Sequence, residues 1–258
     1  MKQEERLDYL INALLDERGE GGAPLPRSIT ERKRLLRALF NVRMPGEIGK
    51  EFLRIQDDYL AEELRQKGVT SIDDLTPVED GIYLWQGDIT TLKCGAIINA
   101  ANSQLLGCFY PCHGCIDNAI HTFAGVQLRS ACNELIKAQC HEEDTGKAKL
   151  TPAFNLPCRY VIHTVGPIVG YRLTDEDCRL LESCYASCLE LAEENAIESV
   201  AFCCISTGEF HFPNDKAAEI AVRTVRRFRK GGGKVKVIFN VFKDIDLEIY
   251  HSLLESGL

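Results

Sequence analysis

No stretch of this chain approaches the roughly 20 consecutive apolar residues that a membrane-crossing helix needs. Its first ten residues, MKQEERLDYL, are charged and amphipathic where a secretory leader would be apolar. These two absences predict a cytoplasmic protein with no membrane partner. A surplus of positive charge is also missing: 30 Lys and Arg against 38 Asp and Glu leave a net charge of −8. Nucleic-acid binding needs a basic footprint, so nucleic acid is excluded as a general partner. The one basic run, VRRFRKGGGK, reads as a helix C-terminus, where cations suit the helix dipole and glycines end the helix. No internal repeat or low-complexity tract interrupts the chain, which excludes a repeat architecture.

What is present is enough apolar material for a sizeable core: 258 residues, 45% of them hydrophobic. Twelve cysteines would be heavy for a disulfide scaffold of this length. Cys132, Cys184, Cys188, Cys203 and Cys204 fall inside apolar helix or strand patterns, and in a reducing compartment they read as small buried hydrophobes. The character of the chain changes near residue 80. Before it the period is helical: Leu7, Leu10, Ile11, Leu14 and Leu15 share a face, ERKRLLRALFNVR and EFLRIQDDYLAEELRQKG repeat the pattern, and Gly68 closes the last helix. Residues 1–78 are therefore expected to form a helical N-terminal extension, and residues 79–258 an α/β unit.

In that second part short β-branched or aromatic runs (GIYLWQGDIT, AIINAAN, YVIHTVGP, SVAFCCIST and VKVIFNVF) alternate with helical stretches at about 116–137, 176–195, 213–230 and 244–255. The alternation predicts a sheet with helices on both faces. Such sheets bind ligands beyond the carboxyl ends of their strands, which puts the loops after QGDIT, INAAN, HTVGP and CISTG at the site. Asp88 there can accept hydrogen bonds from a purine amine or cap its own turn. Asn99 and Asn102 can hold ribose hydroxyls or satisfy local backbone. Ser206, Thr207 and Gly208 form a small-residue loop able to present N–H groups to a phosphate. His163, among β-branched neighbours, reads as a core strand histidine.

Taken in order, QGDIT, INAANSQLLG, IDNAIHTFAG, TGKAKLTPAFNLP, YVIHTVGP and CISTGEFHFP resemble a macrodomain, the three-layer α/β/α module with a mixed central sheet that binds ADP-ribose. The resemblance covers about residues 81–258. It implies that Asp88 and Ile89 face the adenine, and that Asn99 and Asn102 face the distal ribose. It also implies that Ser206, Thr207, Gly208, Glu209 and Phe210 hold the phosphates, and that Asp117 is the acidic residue hydrolytic members keep near the bond to be cut.

One departure is specific. Where most macrodomains have a glycine-rich loop before the helix at 116, this chain has GCFYPCHGC. The replacement resembles that of microbial zinc-containing macrodomains, protein-ADP-ribose hydrolases that also carry a helical N-terminal extension. Their C-x4-H-x-C pattern lands on Cys108, His113 and Cys115. Structural zinc normally takes four ligands from two knuckles, whereas catalytic zinc keeps an open position. No second knuckle is spaced to match, and Cys112 is adjacent to His113, so Cys112 is left out of the ligand set. Free thiols and a C-x-x-C redox pair are the rival readings, and no thioredoxin-like context precedes the pair.

The expected function is therefore Zn2+-dependent removal of mono-ADP-ribose from modified proteins, with Asn102 and Asp117 catalytic and ADP-ribose the product. The alternative is a non-catalytic ADP-ribose reader with a structural zinc. The resemblance also associates a sirtuin-like transferase and a lipoylated glycine-cleavage-H-like carrier protein as partners.

Overall fold

A computed structural model describes residues 1–256 of the chain. The N-terminal part is three helices, α1 (Gln3–Glu17), α2 (Ile29–Val42) and α3 (Lys50–Lys67). Leu7, Leu10, Ile11 and Leu14 are buried, as their i, i+3, i+4, i+7 spacing requires. With Leu36, Phe40, Phe52 and Ile55 they form a core of their own, which Val126 from the later chain joins. Gly68 ends α3 at φ +85°.

The rest of the chain runs β1 (Thr70–Ser71), β2 (Ile82–Gln86), β3 (Leu92–Lys93), β4 (Ala96–Ala101), α4 (Ile116–Ala124), α5 (Val126–Gln139), β5 (Ala148–Pro152) and β6 (Tyr160–Val165). It continues through α6 (Asp175–Glu194), β7 (Ser199–Phe202), α7 (Asn214–Lys230), β8 (Lys236–Val241) and α8 (Asp244–Glu255). Six strands form one sheet in the order β2-β8-β7-β4-β6-β5, parallel except for β5, which runs antiparallel to β6. The predicted mixed sheet between two helical layers is what forms. Consecutive residues of β6 show why: His163 points to Cys132 of α5, while the next residue, Thr164, lies beside Cys184 and Cys188 of α6. A strand alternates its side chains, so one strand serves both layers. Among the described residues no helix is long and apolar enough to cross a membrane.

Two elements differ from expectation. The single helix expected over 116–137 is two helices, broken at Gly125, whose φ of +92° suits glycine. A Cβ there would lie 2.6 Å from Gln56 Nε2, and Gln56 Oε1 accepts the Val126 N–H at 2.9 Å, so α3 helps hold the break. The strand β5, from the run AKLTP outside the expected strands, is a half-buried edge strand whose proline sits at its last position.

Candidate functional site

Because β2, β4, β6 and β7 run parallel, the loops leaving their carboxyl ends gather on one edge of the sheet. After β2, Asp88 caps its own turn, one of the two roles expected of it. One oxygen caps a short 3-10 turn, accepting Thr90 N–H at 3.0 Å and Thr90 Oγ1–H at 2.6 Å. The other faces Lys67 Nζ of α3 at 3.1 Å, and that ammonium lies 3.3 Å over the Phe123 ring. Burial pushes the Asp88 carboxyl up, but the Thr90 bonds and Lys67 outweigh it, so it stays below the ordinary carboxylate range. The Ile89 side chain is buried in the main core, so any ligand contact it makes runs through its main chain.

The two asparagines of NAAN part company. Asn102 stays at the mouth of the loop after β4, accepting Gln104 N–H at 3.1 Å and donating to the Gly107 carbonyl at 3.2 Å. Asn99, expected at the ribose, is instead wholly buried under α4 and α5. It donates to Asp117 Oδ1 at 2.8 Å and lies 3.1 Å from His163 Nδ1. Three residues along a strand is an odd step, so the two cannot share a face.

Asp117, in the first turn of α4, is 5% exposed, and burial pushes its carboxyl up to about 6 against the opposing effects of the Asn99 bond and Arg129. His121 Nε2 stands 3.5 Å from the same oxygen without making a hydrogen bond. His163 is a core histidine: with Asn99 donating to Nδ1, its Nε2–H faces Thr151 Oγ1 at 2.9 Å. His121, Cys132 and His163 bring donor atoms within 4.8 Å of one another. Yet both His163 nitrogens are engaged, by Asn99 and Thr151, and all three residues are buried, which makes the group a packed polar core rather than a metal centre.

The cysteine loop converges differently. The ligand atoms of half-buried Cys108, His113 and Cys115 lie within 4.8 Å of one another, with Cys108 Sγ 3.6 Å from His113 Nδ1. Cys112 turns away, its thiol donating to the Arg34 carbonyl at 3.3 Å. Gly107, at φ +80°, lets the backbone pass His121, where a Cβ would lie 2.8 Å from the ring. Cys115 caps α4, its sulfur accepting Asn118 N–H at 3.4 Å. Burial first, then the neighbouring Cys108 and Asp117, push the Cys115 thiol up to about 12 against that bond. Without a cation Cys115 is therefore a thiol; a metal held between the two sulfurs would offset that burial and neighbouring charge and favour the thiolate that binds it. Two sulfurs and one imidazole suit Zn2+ with a fourth position left open, so the residues fit the metal.

The loop after β7 folds back on itself. Ser206 and His211 take positive φ, +64° and +57°, and Phe212 N–H returns to the Ser206 carbonyl at 3.0 Å. Gly208 and Glu209 stand exposed at its tip, Thr207 donates to the Cys204 carbonyl at 3.0 Å, and Phe210 accepts Val169 N–H through its carbonyl at 2.9 Å. The Ser206 hydroxyl is buried without a hydrogen-bond partner among the described residues. Glu209 Oε1 reaches His113 Nε2 at 3.4 Å, which joins this loop to the cysteine loop. With Nδ1 turned to Cys108, a carboxylate on the far nitrogen is the arrangement that orients a metal-binding imidazole.

Sequence reasoning missed the residues that tie the extension to these loops: Lys67, Arg37, Asn41 and, on α5, Arg129. Arg129 donates to the carbonyls of Leu106 at 2.6 Å and Phe40 at 3.0 Å, and lies 4.4 Å over the Phe109 ring. The available signals were a polar Asn41 directly after Leu39 and Phe40 on the apolar face of α2, and an arginine amid the apolar pattern of α5.

This fold and loop arrangement are those of a macrodomain, and comparison bears the class out. The Macro domain family model matches residues 98–221, and the chain belongs to the macrodomain family. Over 98% of its length and all of the relative's it is 56% identical to a protein of Treponema medium named protein-ADP-ribose hydrolase. Over 85% of its length it is 43% identical to part of a Fusarium oxysporum f. sp. cubense protein named probable bifunctional ADP-ribose hydrolase/ADP-ribosyltransferase, of which the match spans 40%. Its fold is similar to that of a Trypanosoma brucei macrodomain solved in complex with ADP-ribose, with a TM-score of 0.64, 31% identity, and coverage of 88% of this chain and 96% of that one.

Proposed function

We propose that this protein is an enzyme that hydrolyses the bond between mono-ADP-ribose and a modified protein, releasing ADP-ribose, and that it does so with Zn2+ held by Cys108, His113 and Cys115. The hydrolase class is supported by identity to a named protein-ADP-ribose hydrolase over nearly the full chain. The observation that supports the metal is the approach of two thiols and an imidazole to within 4.8 Å of one another, with Asp117 two residues beyond Cys115.

In this reading Asp88 accepts the adenine amine on the oxygen that Lys67 now holds, and main-chain N–H groups of residues 206–210 hold the diphosphate. Asn102 holds a hydroxyl of the distal ribose. Water attacks the anomeric carbon as the bond to the protein side chain breaks, and Asp117, whose carboxyl burial pushes up to about 6, takes the water's proton and returns it to the departing side chain. Zinc, when bound, supplies a Lewis acid beside the ribose. Asn99 and His121 do not touch substrate; Asn99 holds Asp117 in position. The substrate is a mono-ADP-ribosylated protein. A sirtuin-like transferase and a lipoylated glycine-cleavage-H-like carrier are the partners we infer, and the fused transferase of the Fusarium relative supports the pairing of the two activities.

The test is free ADP-ribose released from a mono-ADP-ribosylated protein, followed by mass spectrometry, with protein as purified, after metal removal, and after zinc is restored. Release that vanishes and returns with zinc is the expected result. ADP-ribose binding without release in any sample would make the protein a reader whose zinc only staples the loop. Cys108→Ala should abolish release while leaving adenine-side binding intact; an unchanged rate overturns the role of the metal.

A further inference from the structure

The loop from 108 to 115 has no helix or strand of its own, yet metal ligands must be held to within a few tenths of an ångström. Cys115 is fixed as the cap of α4. His113 bonds within the loop only through its N–H to the Tyr110 carbonyl at 3.2 Å, and the other groups that hold its backbone come from elsewhere. Asn41 of α2, 1% exposed, accepts the Cys112 N–H on Oδ1 at 2.8 Å and donates from Nδ2 to Thr122 Oγ1 at 3.0 Å. It therefore clamps the residue before the histidine, which sits at φ +55°, against α4. Arg37, one turn earlier on α2, donates through Nη2 to the His113 carbonyl at 2.9 Å and to Asn118 Oδ1 at 2.8 Å. Asn118 in turn donates to the Tyr110 carbonyl at 3.0 Å. At the other end of the loop, Arg129 ties the Leu106 carbonyl to that of Phe40 on α2.

We infer that α2 of the N-terminal extension is a brace that sets the ligand geometry of the cysteine loop, with Asn41 and Arg37 as positioning residues for His113. The metal part of this inference rests on the function proposed above. The extension is then part of the active-site architecture, and its three helices are held together by their own core so that α2 presents these two side chains rigidly. A leucine at 41 would fill the same space but strand the Cys112 N–H, leaving the left-handed turn before His113 unsupported.

The test compares Asn41→Ala and Arg37→Ala with Arg32→Ala. Arg32 pairs with Asp8 at 2.6 Å and Glu4 at 3.2 Å across α1 and α2, on the side away from these loop bonds, so its loss perturbs the extension without touching the brace. Zinc affinity is read by competition with a chromogenic chelator. Loop order is read by hydrogen exchange of peptides spanning 106–116 in metal-free full-length protein. The brace predicts zinc affinity lowered about 10- to 100-fold in the Asn41 and Arg37 variants, as for other groups that orient metal ligands. It predicts faster exchange in the loop for both, and neither change in Arg32→Ala whatever its melting temperature. Native exchange in both brace variants overturns the inference, as does an affinity loss in Arg32→Ala that follows its stability. Should the native protein bind no zinc, the metal reading and the ligand role fail together, while the exchange rates still decide whether α2 orders the loop. Arg37, half-buried, keeps the test open if Asn41→Ala does not fold.

Discussion

Replacing His163 by glutamine should flatten the acid side of this protein's stability curve. The imidazole is fully buried, and burial lowers its pKa to about 3, against 6.5 as its ordinary value. Between those values the unfolded chain binds a proton that the native state refuses. Stability conferred by the neutral ring is therefore complete above pH 6.5 and is lost as pH falls toward 3, at about 1.4 kcal/mol per pH unit. From pH 7 to pH 4.5 this one group removes about 3 kcal/mol, a large fraction of the 5–15 kcal/mol typical of a domain. Burial lowers His121 too, and its contribution has the same sign. Glutamine does not titrate. The variant should lose about 1 kcal/mol at pH 7 through the weakened bonds to Asn99 and Thr151, but its drop on acidification should be smaller than the native one by about 3 kcal/mol. The assay is urea unfolding followed by circular dichroism at pH 7.0 and 4.5, with metal removed from both proteins so that acid release of zinc adds nothing to the slope. Parallel losses in the two proteins would refute the argument that a neutral buried imidazole governs the slope.

Three further outcomes test the site. Gly208→Val should leave stability within about 0.5 kcal/mol, because nothing lies within 4 Å of the position its Cβ would take. The same substitution should weaken ADP-ribose binding at least about tenfold in calorimetry by blocking close approach of the diphosphate to the backbone; unchanged affinity removes this loop from the ligand. Asp88→Ala should weaken ADP-ribose by about 1.5–3 kcal/mol and leave ribose 5-phosphate binding unaltered, and equal losses for both would show that Asp88 does not read the base. Asp117→Asn keeps the acceptor for Asn99 and should fold normally, but should slow ADP-ribose release by about 10²- to 10⁴-fold with binding retained; an undiminished rate removes Asp117 from the chemistry.

Much of the fold was legible because its signals are local. The apolar stripe of α1 needs only the helical period, and β4, β6, β7 and β8 announce themselves as β-branched runs. The polar edge strand β5 did not, since what makes AKLTP a strand is its pairing with β6, a contact no local pattern encodes. The error over Asn99 was avoidable: the two-residue period of a strand already separates it from Asn102. Gly125, by contrast, looked like a tolerable glycine inside one long helix until α3 was seen packed against it.

The sequence by itself determined which groups are candidates for the site: three metal donors within eight residues, a small-residue loop at 206–210 and a carboxylate at 117, all carried by short motifs whose spacing survives without a structure. Tertiary structure alone decided what holds them. Asn41 meets Cys112 across 71 residues of chain, Arg37 meets His113 across 76, and Lys67 meets Asp88 across 21. The His113–Glu209 pair spans the two loops in the same way. Such contacts arise because a separate helical core is docked beside α4, where its polar side chains find loop backbone groups that would otherwise lack partners. That pairing depends on where two packed surfaces meet, which no spacing along the chain records.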